Sequence, residues 1–246
     1  MLSLIVATMR VGGQTVLPPA EQVLAAARAR MGGTAAIAAV RSLRTIADCE
    51  GPKRNYRTTV WSDRSGAVKF EQDFPDGTTN RIAYEGRRPA DDIRRPRTLS
   101  QTELANWAEV EGHEVHMIVL APDTRFGGPD GVRDTVFRGR RAIGVVFHDT
   151  LGTPVVEYFA PRDSLPLGFT FSDREVPTPG TVALVLSQWG RVDGILLPRY
   201  AVYWQGEQAY RFRYTSIRLN PVPNADSSQA SRPPGPRPSA GGVTPP

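Results

Sequence analysis

The chain is short of lysine, cysteine and histidine, and no hydrophobic run in it is long. Lys53 and Lys69 are the only lysines among 30 basic residues, so its basic charge is almost all arginine. Against 25 acidic residues this leaves a formal charge of +5. The arginines are scattered among acids, apart from Arg87-Arg88 and Arg94-Arg95-Pro96-Arg97. A basic stripe interleaved with stacking aromatics is missing, which argues against a nucleic-acid partner. Cys49 is the one cysteine and excludes an intramolecular disulfide; it reads as a small buried hydrophobe near a strand end. No stretch reaches the about 20 apolar residues of a transmembrane helix.

Catalytic patterns are equally scarce. His113 and His116 stand at i, i+3, whereas a metalloprotease helix needs His-Glu-x-x-His with the histidines at i, i+4. Glu111 could join them on a metal, but polar helix residues at the rim of the sheet are the expected reading. The serines lie in turns and the tail, with no Gly-x-Ser-x-Gly elbow. Phe126-Gly-Gly-Pro-Asp-Gly131 has glycines but no phosphate-binding lysine, and Asp91-Asp92 reads as a solvated pair. No metal and no cofactor is expected, and the protein is expected not to be an enzyme.

What is abundant is alternation. From Trp189 to Asn220 the spacing predicts two long strands joined by a tight turn at Gln205-Gly206-Glu207. Tyr210, Phe212 and Tyr214 alternate there with Arg211 and Arg213, so aromatics line one face and arginines the other. The same one-sided pattern predicts strands near Leu43–Cys49, Asn55–Ser62, Ala67–Phe74 and Thr78–Tyr84. Seven more follow between Val132 and Leu219. Ile143, Val145 and Phe147 form one apolar face; Leu165, Leu167, Phe169 and Phe171 form another. Val68, Phe70 and Phe74 form a third.

Three helices accompany the strands. Pro18-Pro19-Ala20-Glu21 opens the first, which Gly32-Gly33 ends. Thr34 is expected to cap a second through Val40. Ser100-Gln-Thr-Glu103 is a capping-box pattern before a run with helical spacing from Leu104 to Leu120. The fold class expected is α+β. A curved antiparallel sheet of about 11 strands forms an open half-barrel, with two N-terminal helices and one central helix over the concave face. Residues 1–16 are expected to be a truncated secretory signal, because Leu2 to Met9 is a short apolar core before small residues. Residues 17–220 form a single domain. Residues 221–246 are rich in Pro, Ser and Gly and are expected to be a disordered tail.

Ala29-Arg-Met-Gly-Gly33 and Val192-Asp-Gly-Ile-Leu-Leu-Pro198, together with the order of elements from Glu21 to Asn220, resemble the LolA-like superfamily. That group includes periplasmic outer-membrane lipoprotein carriers and many uncharacterised secreted proteins. The resemblance implies an exported binding protein, periplasmic or secreted, that holds a lipid or lipoprotein acyl chain in an apolar half-barrel cavity. The expected lining is Phe70, Val145, Phe147, Phe169, Phe171, Phe212 and Tyr214. Two alternatives stand beside it. One is a solidly packed module that docks on an envelope protein partner without a ligand. The other is a metal-dependent hydrolase using His113 and His116.

Overall fold

The computed structural model describes residues 10–11, 14–15, 17–84, 115–122, 126–148, 152–173 and 180–221. Among the described residues, strands β1 (Arg10–Val11) and β2 (Gln14–Thr15) pair only with each other. Helices α1 (Ala20–Met31) and α2 (Thr34–Ala39) follow. Then come β3 (Ser42–Glu50), β4 (Asn55–Asp63), β5 (Val68–Asp73) and β6 (Thr79–Tyr84). Helix α3 (Val115–Leu120) precedes β7 (Gly131–Phe137), β8 (Arg140–His148), β9 (Pro154–Phe159) and β10 (Pro166–Asp173). The last three strands are β11 (Gly180–Val192), β12 (Ile195–Gln205) and β13 (Gln208–Leu219).

Eleven strands make one antiparallel sheet in the order β6-β5-β4-β3-β13-β12-β11-β10-β9-β8-β7. Hairpins lead outward from β3 to the edge strand β6 and inward from the opposite edge β7 to β13. Between β6 and β7 the chain changes edge, and α3 lies on that crossing. β6 and β7 do not pair, so the half-barrel stays open. Period-two alternation then sorts side chains. On β8, Ile143, Val145 and Phe147 join the main core, while Ala142 belongs to a smaller cluster on the outer face.

Local chemistry fixes the joints. Gly66 and Gly77 take positive φ in the turns where the sequence placed them. Helix α2 begins one residue earlier than expected, with Gly33 rather than Thr34 as its N-cap. Its carbonyl end is held from the β4–β5 turn, where Arg64 donates to Ile37 O at 2.6 Å and to Val40 O at 2.5 Å. The stretch from Trp189 to Asn220 contains a second turn. Trp189–Val192 ends β11, and Asp193 and Gly194 turn with φ 48° and 84°, an Asp-Gly hairpin signal.

Two bulges change which face a residue meets. Pairing of β13 with β3 shifts between Tyr214 and Ser216, so Ile217 rather than Ser216 turns inward. Pairing of β10 with β9 shifts between Pro166 and Gly168. Phe169 and Phe171 therefore stay in the main core, while Leu167 packs on the outer face with Phe137 and Tyr158. The expected apolar face of four is thus divided between the two sides of the sheet.

Asn220 closes the seam. Its Oδ1 accepts from Arg41 N at 2.6 Å and Ser42 N at 3.2 Å, and its Nδ2 donates to Ala39 O at 3.0 Å. Asn220→Ala is expected to lower stability by about 2 kcal/mol, read as a shift of the urea midpoint. Asn220→Gly tolerates the positive φ but makes no such bonds, so most of the loss should remain with it.

Candidate functional site

The inner face of the sheet is built from direct cross-strand rows. One row runs Val145–Glu157–Phe169–Leu184–Tyr203 across β8 to β12. A second runs Leu186–Ala201–Phe212–Cys49–Tyr56 from β11 to β4. A third runs Tyr214–Ala47–Thr58–Gln72 from β13 to β5. The face is therefore unequal. Apart from Glu157, aromatic and aliphatic side chains fill it from β8 to β13, whereas the buried Thr45, Thr58, Ser62 and Gln72 make it more polar beneath β3 to β5.

That inequality sorts the seven expected lining residues. Val145, Phe147, Phe169, Phe171, Phe212 and Tyr214 all lie in the main core cluster. Phe169 and Phe171 stack at 6.1 Å, and Phe212 and Tyr214 at 6.5 Å. Phe70 is equally buried but belongs to a separate cluster with Val60 and Val68. Polar Thr58 and Gln72 lie between it and the aromatic rows. Phe74 stands just past the end of β5, half-buried against Tyr56 at 5.5 Å.

Helix α3 occupies this face. All six of its residues are buried, His116 among them. Behind it Phe126 sits 6.1 Å from Phe147 and 6.3 Å from Phe171. His116 Nε2 donates to Pro198 O at 2.8 Å, and its ring meets Tyr214 edge-on at 4.3 Å. Burial lowers its pKa to about 4, against the opposing pull of the Pro198 carbonyl. Burial likewise raises the Tyr214 phenol and pushes the Cys49 thiol up to about 12. His116 Nδ1, Tyr214 Oη and Thr58 Oγ1 are buried without a hydrogen-bond partner among the described residues. A polar centre thus sits inside the apolar core.

The sequence predicts His116 as a polar helix residue at the rim of the sheet; the structure puts it in the core. Among the described residues only one of its ring nitrogens carries a bond, and that bond goes to backbone. Glu111 and His113, the other members of the considered metal set, lie outside the described residues, as does most of the Leu104–Leu120 run. Among the described residues no group of three metal-ligating side chains forms. Glu157 is a further buried polar residue on this face, and no sequence motif marks it. It is 1% exposed between Val145 and Phe169, and the alternation Val155-Val156-Glu157-Tyr158-Phe159 was the available signal.

A cavity of about 460 Å³ lies elsewhere, and none of the seven residues lines it. It is bounded by Asp73, Arg57, Asp48, Arg213 and Tyr200, with Phe74 and Pro75 beside them. The first five form one straight rung across β5, β4, β3, β13 and β12, the four before Tyr200 alternating in charge.

The two glycine-bearing segments meet in space. A Cβ on Gly32 would lie 3.2 Å from Gly194 O and 3.3 Å from Ile195 Cα. Pro198 of the same segment receives His116. The β11–β12 turn and the strand after it therefore seat both the α1–α2 joint and α3.

No family model matches the chain, and no curated protein sequence matches it. The chain is similar to LolA superfamily structures. A LolA superfamily protein from Nitrosomonas europaea aligns with 84% of this chain and 96% of its own, at 9% identity and a TM-score of 0.42. A domain named for outer membrane lipoprotein sorting, from Vibrio parahaemolyticus, aligns over 84% and 94%, at 11% identity and a TM-score of 0.43. A DUF1329 family protein from Desulfovibrio piger aligns over 86% and 97%, at 12% identity and a TM-score of 0.43.

Proposed function

We propose that this is an exported, non-enzymatic binding protein of the bacterial envelope that carries a lipid or lipoprotein acyl chain on the inner face of its half-barrel. The observation that supports this most is α3 itself. A short helix, apolar except for His116, lies buried against the aromatic rows of an open sheet. A side-chain hydrogen bond to one backbone carbonyl ties it there. An acyl chain offers the same apolar surface and would take the place of α3 and Phe126 against Val145, Phe147, Phe169, Phe171, Phe212 and Tyr214. Phe70 lines the polar-flanked end of the same wall.

Burial contributes about 0.8 kcal/mol per methylene, so about ten methylenes supply the roughly 8 kcal/mol of micromolar binding. Nothing in this reading needs a nucleophile or a metal. Residues 1–16 act as the export signal, residues 17–220 as the domain, and residues 221–246 as a tail that takes no part in binding.

Native mass spectrometry of protein purified from its own envelope fraction, followed by organic extraction, tests the reading. A near-stoichiometric lipid or acylated protein is expected. Phe171→Asp should abolish its retention while near-UV circular dichroism stays native, and Arg213→Gln on the outer face should retain it in full. A clean apo mass from wild-type protein, or equal loss in both variants, overturns the carrier and leaves a packed docking module.

A further inference from the structure

The outer face of the sheet carries two kinds of charged rung. The Asp73–Arg57–Asp48–Arg213 rung alternates in sign and neutralises itself. Four residues further along β3 the order is Arg218–Arg44–Trp61–Lys69, directly opposed across β13, β3, β4 and β5. This rung holds three cations and no carboxylate.

Its geometry carries a stability cost. Arg44 and Arg218 face each other directly, and like charges in that position destabilise a sheet. Arg44 is half-buried, and its Nε is sealed from solvent without a hydrogen-bond partner among the described residues. The guanidinium lies 5.3 Å from the Trp61 ring, and Lys69 Nζ lies 5.0 Å from the same ring. These cation–π contacts hold two positive charges beside one indole. Of the bordering acids, one is shared between Lys69 of the rung and Arg81, and the other is held within its own turn. Glu71 bridges Lys69 at 3.5 Å and Arg81 at 3.3 Å. Asp63 Oδ1 accepts from Ser65 Oγ at 2.5 Å and from Ala67 N at 3.2 Å.

We propose that the Arg218–Arg44–Trp61–Lys69 rung is a docking face for the phosphate groups of anionic phospholipid headgroups. Phosphate oxygens accept from guanidinium N–H and relieve the opposed arginines. A tryptophan amid cations suits the interface between headgroups and water. The rung spans roughly 15 Å across four strands, a strip rather than a pocket, which fits several headgroups in a surface better than one soluble phosphate. The rung lies wholly on the outer face, so docking there does not depend on an acyl chain on the inner face.

The test is sedimentation of the full chain with vesicles of phosphatidylcholine, alone or mixed with phosphatidylglycerol. Binding is expected only to the mixed vesicles and should weaken as salt rises. Each arginine near an anionic surface is worth about 5-fold in partitioning, so Arg44→Gln with Arg218→Gln should lose about 25-fold. Arg57→Gln with Arg213→Gln, in the alternating rung, should lose nothing. The first pair should melt no lower than wild type, because it removes a like-charge opposition, and this separates lost docking from lost fold. Equal binding to both vesicle types overturns the proposal, as does wild-type binding by the first pair. Displacement from vesicles by inorganic phosphate at matched ionic strength would assign the rung to a soluble anion and overturn the lipid assignment.

Discussion

Gly168→Ala should lower the stability of the domain by about 4 kcal/mol, combining a strained φ with overpacking. Gly168 sits at the β10 bulge with φ 151°. A Cβ there would lie 1.9 Å from Leu184 O, a backbone atom of the neighbouring strand, and 2.9 Å from the Phe137 ring. Phe137 stacks on Tyr158 at 4.3 Å, so the ring cannot move without opening the outer cluster. The carbonyl cannot move without parting β10 from β11, where Phe169 pairs with Leu184. Urea unfolding followed by tryptophan fluorescence measures the loss. Gly128→Ala is the control, since nothing lies within 4 Å of its Cβ position, and it should stay within about 0.5 kcal/mol of wild type. A loss below about 1 kcal/mol for Gly168→Ala would show that the bulge yields easily.

Acid should weaken the protein through His116. Burial holds the folded-state pKa at about 4, against 6.5 in an unfolded chain. The depressed value means that the unfolded chain takes up the proton first. The stability that the neutral ring contributes is complete above pH 6.5, falls as pH drops below it, and is gone near pH 4. The full span corresponds to about 3 kcal/mol, and about 2 kcal/mol should vanish between pH 7.5 and pH 5. The charges facing His116 act in the same sense: nearby Arg199 disfavours the cation, and neither Tyr214 nor Cys49 supplies an anion. His116→Gln retains a donor for Pro198 O but does not titrate. Its urea midpoint should therefore change less between the two pH values, by the equivalent of those 2 kcal/mol. Identical pH dependence in both proteins would mean that the ring is solvated.

Alternation made the sheet legible. Eleven strands fall where apolar and polar residues change places every second position, and turns fall at Gly66, Gly77 and Gly206. Alternation fails where the backbone gains a residue. Leu165, Leu167, Phe169 and Phe171 look continuous in the sequence, yet Gly168 in their midst marks a bulge that reverses Leu167. The face of a strand was legible, but its neighbours were not. Phe70 shares the periodicity of Phe212, and only the register shows Thr58 and Gln72 standing between them. His116 could not be placed because its partner is a backbone carbonyl 82 positions away. The same holds for the Arg218–Arg44–Trp61–Lys69 rung, which no local pattern announces. The two glycine-bearing segments were legible as motifs, while their mutual contact needed the fold.

The pairing of β3 with β13 sets a schedule for biosynthesis. Near the centre of the sheet Thr215 reaches Ile46, 169 positions away in the chain. At 5–20 residues per second a ribosome needs roughly 10–30 s to supply that partner. During that interval β3 to β6 can form a meander, but its inner border stays uncapped, with Leu43, Ala47 and Cys49 exposed beside unpaired amides. A nascent chain of this design therefore depends on being kept apart from its siblings until its last strand emerges. Truncation within β13 would leave that border open for good.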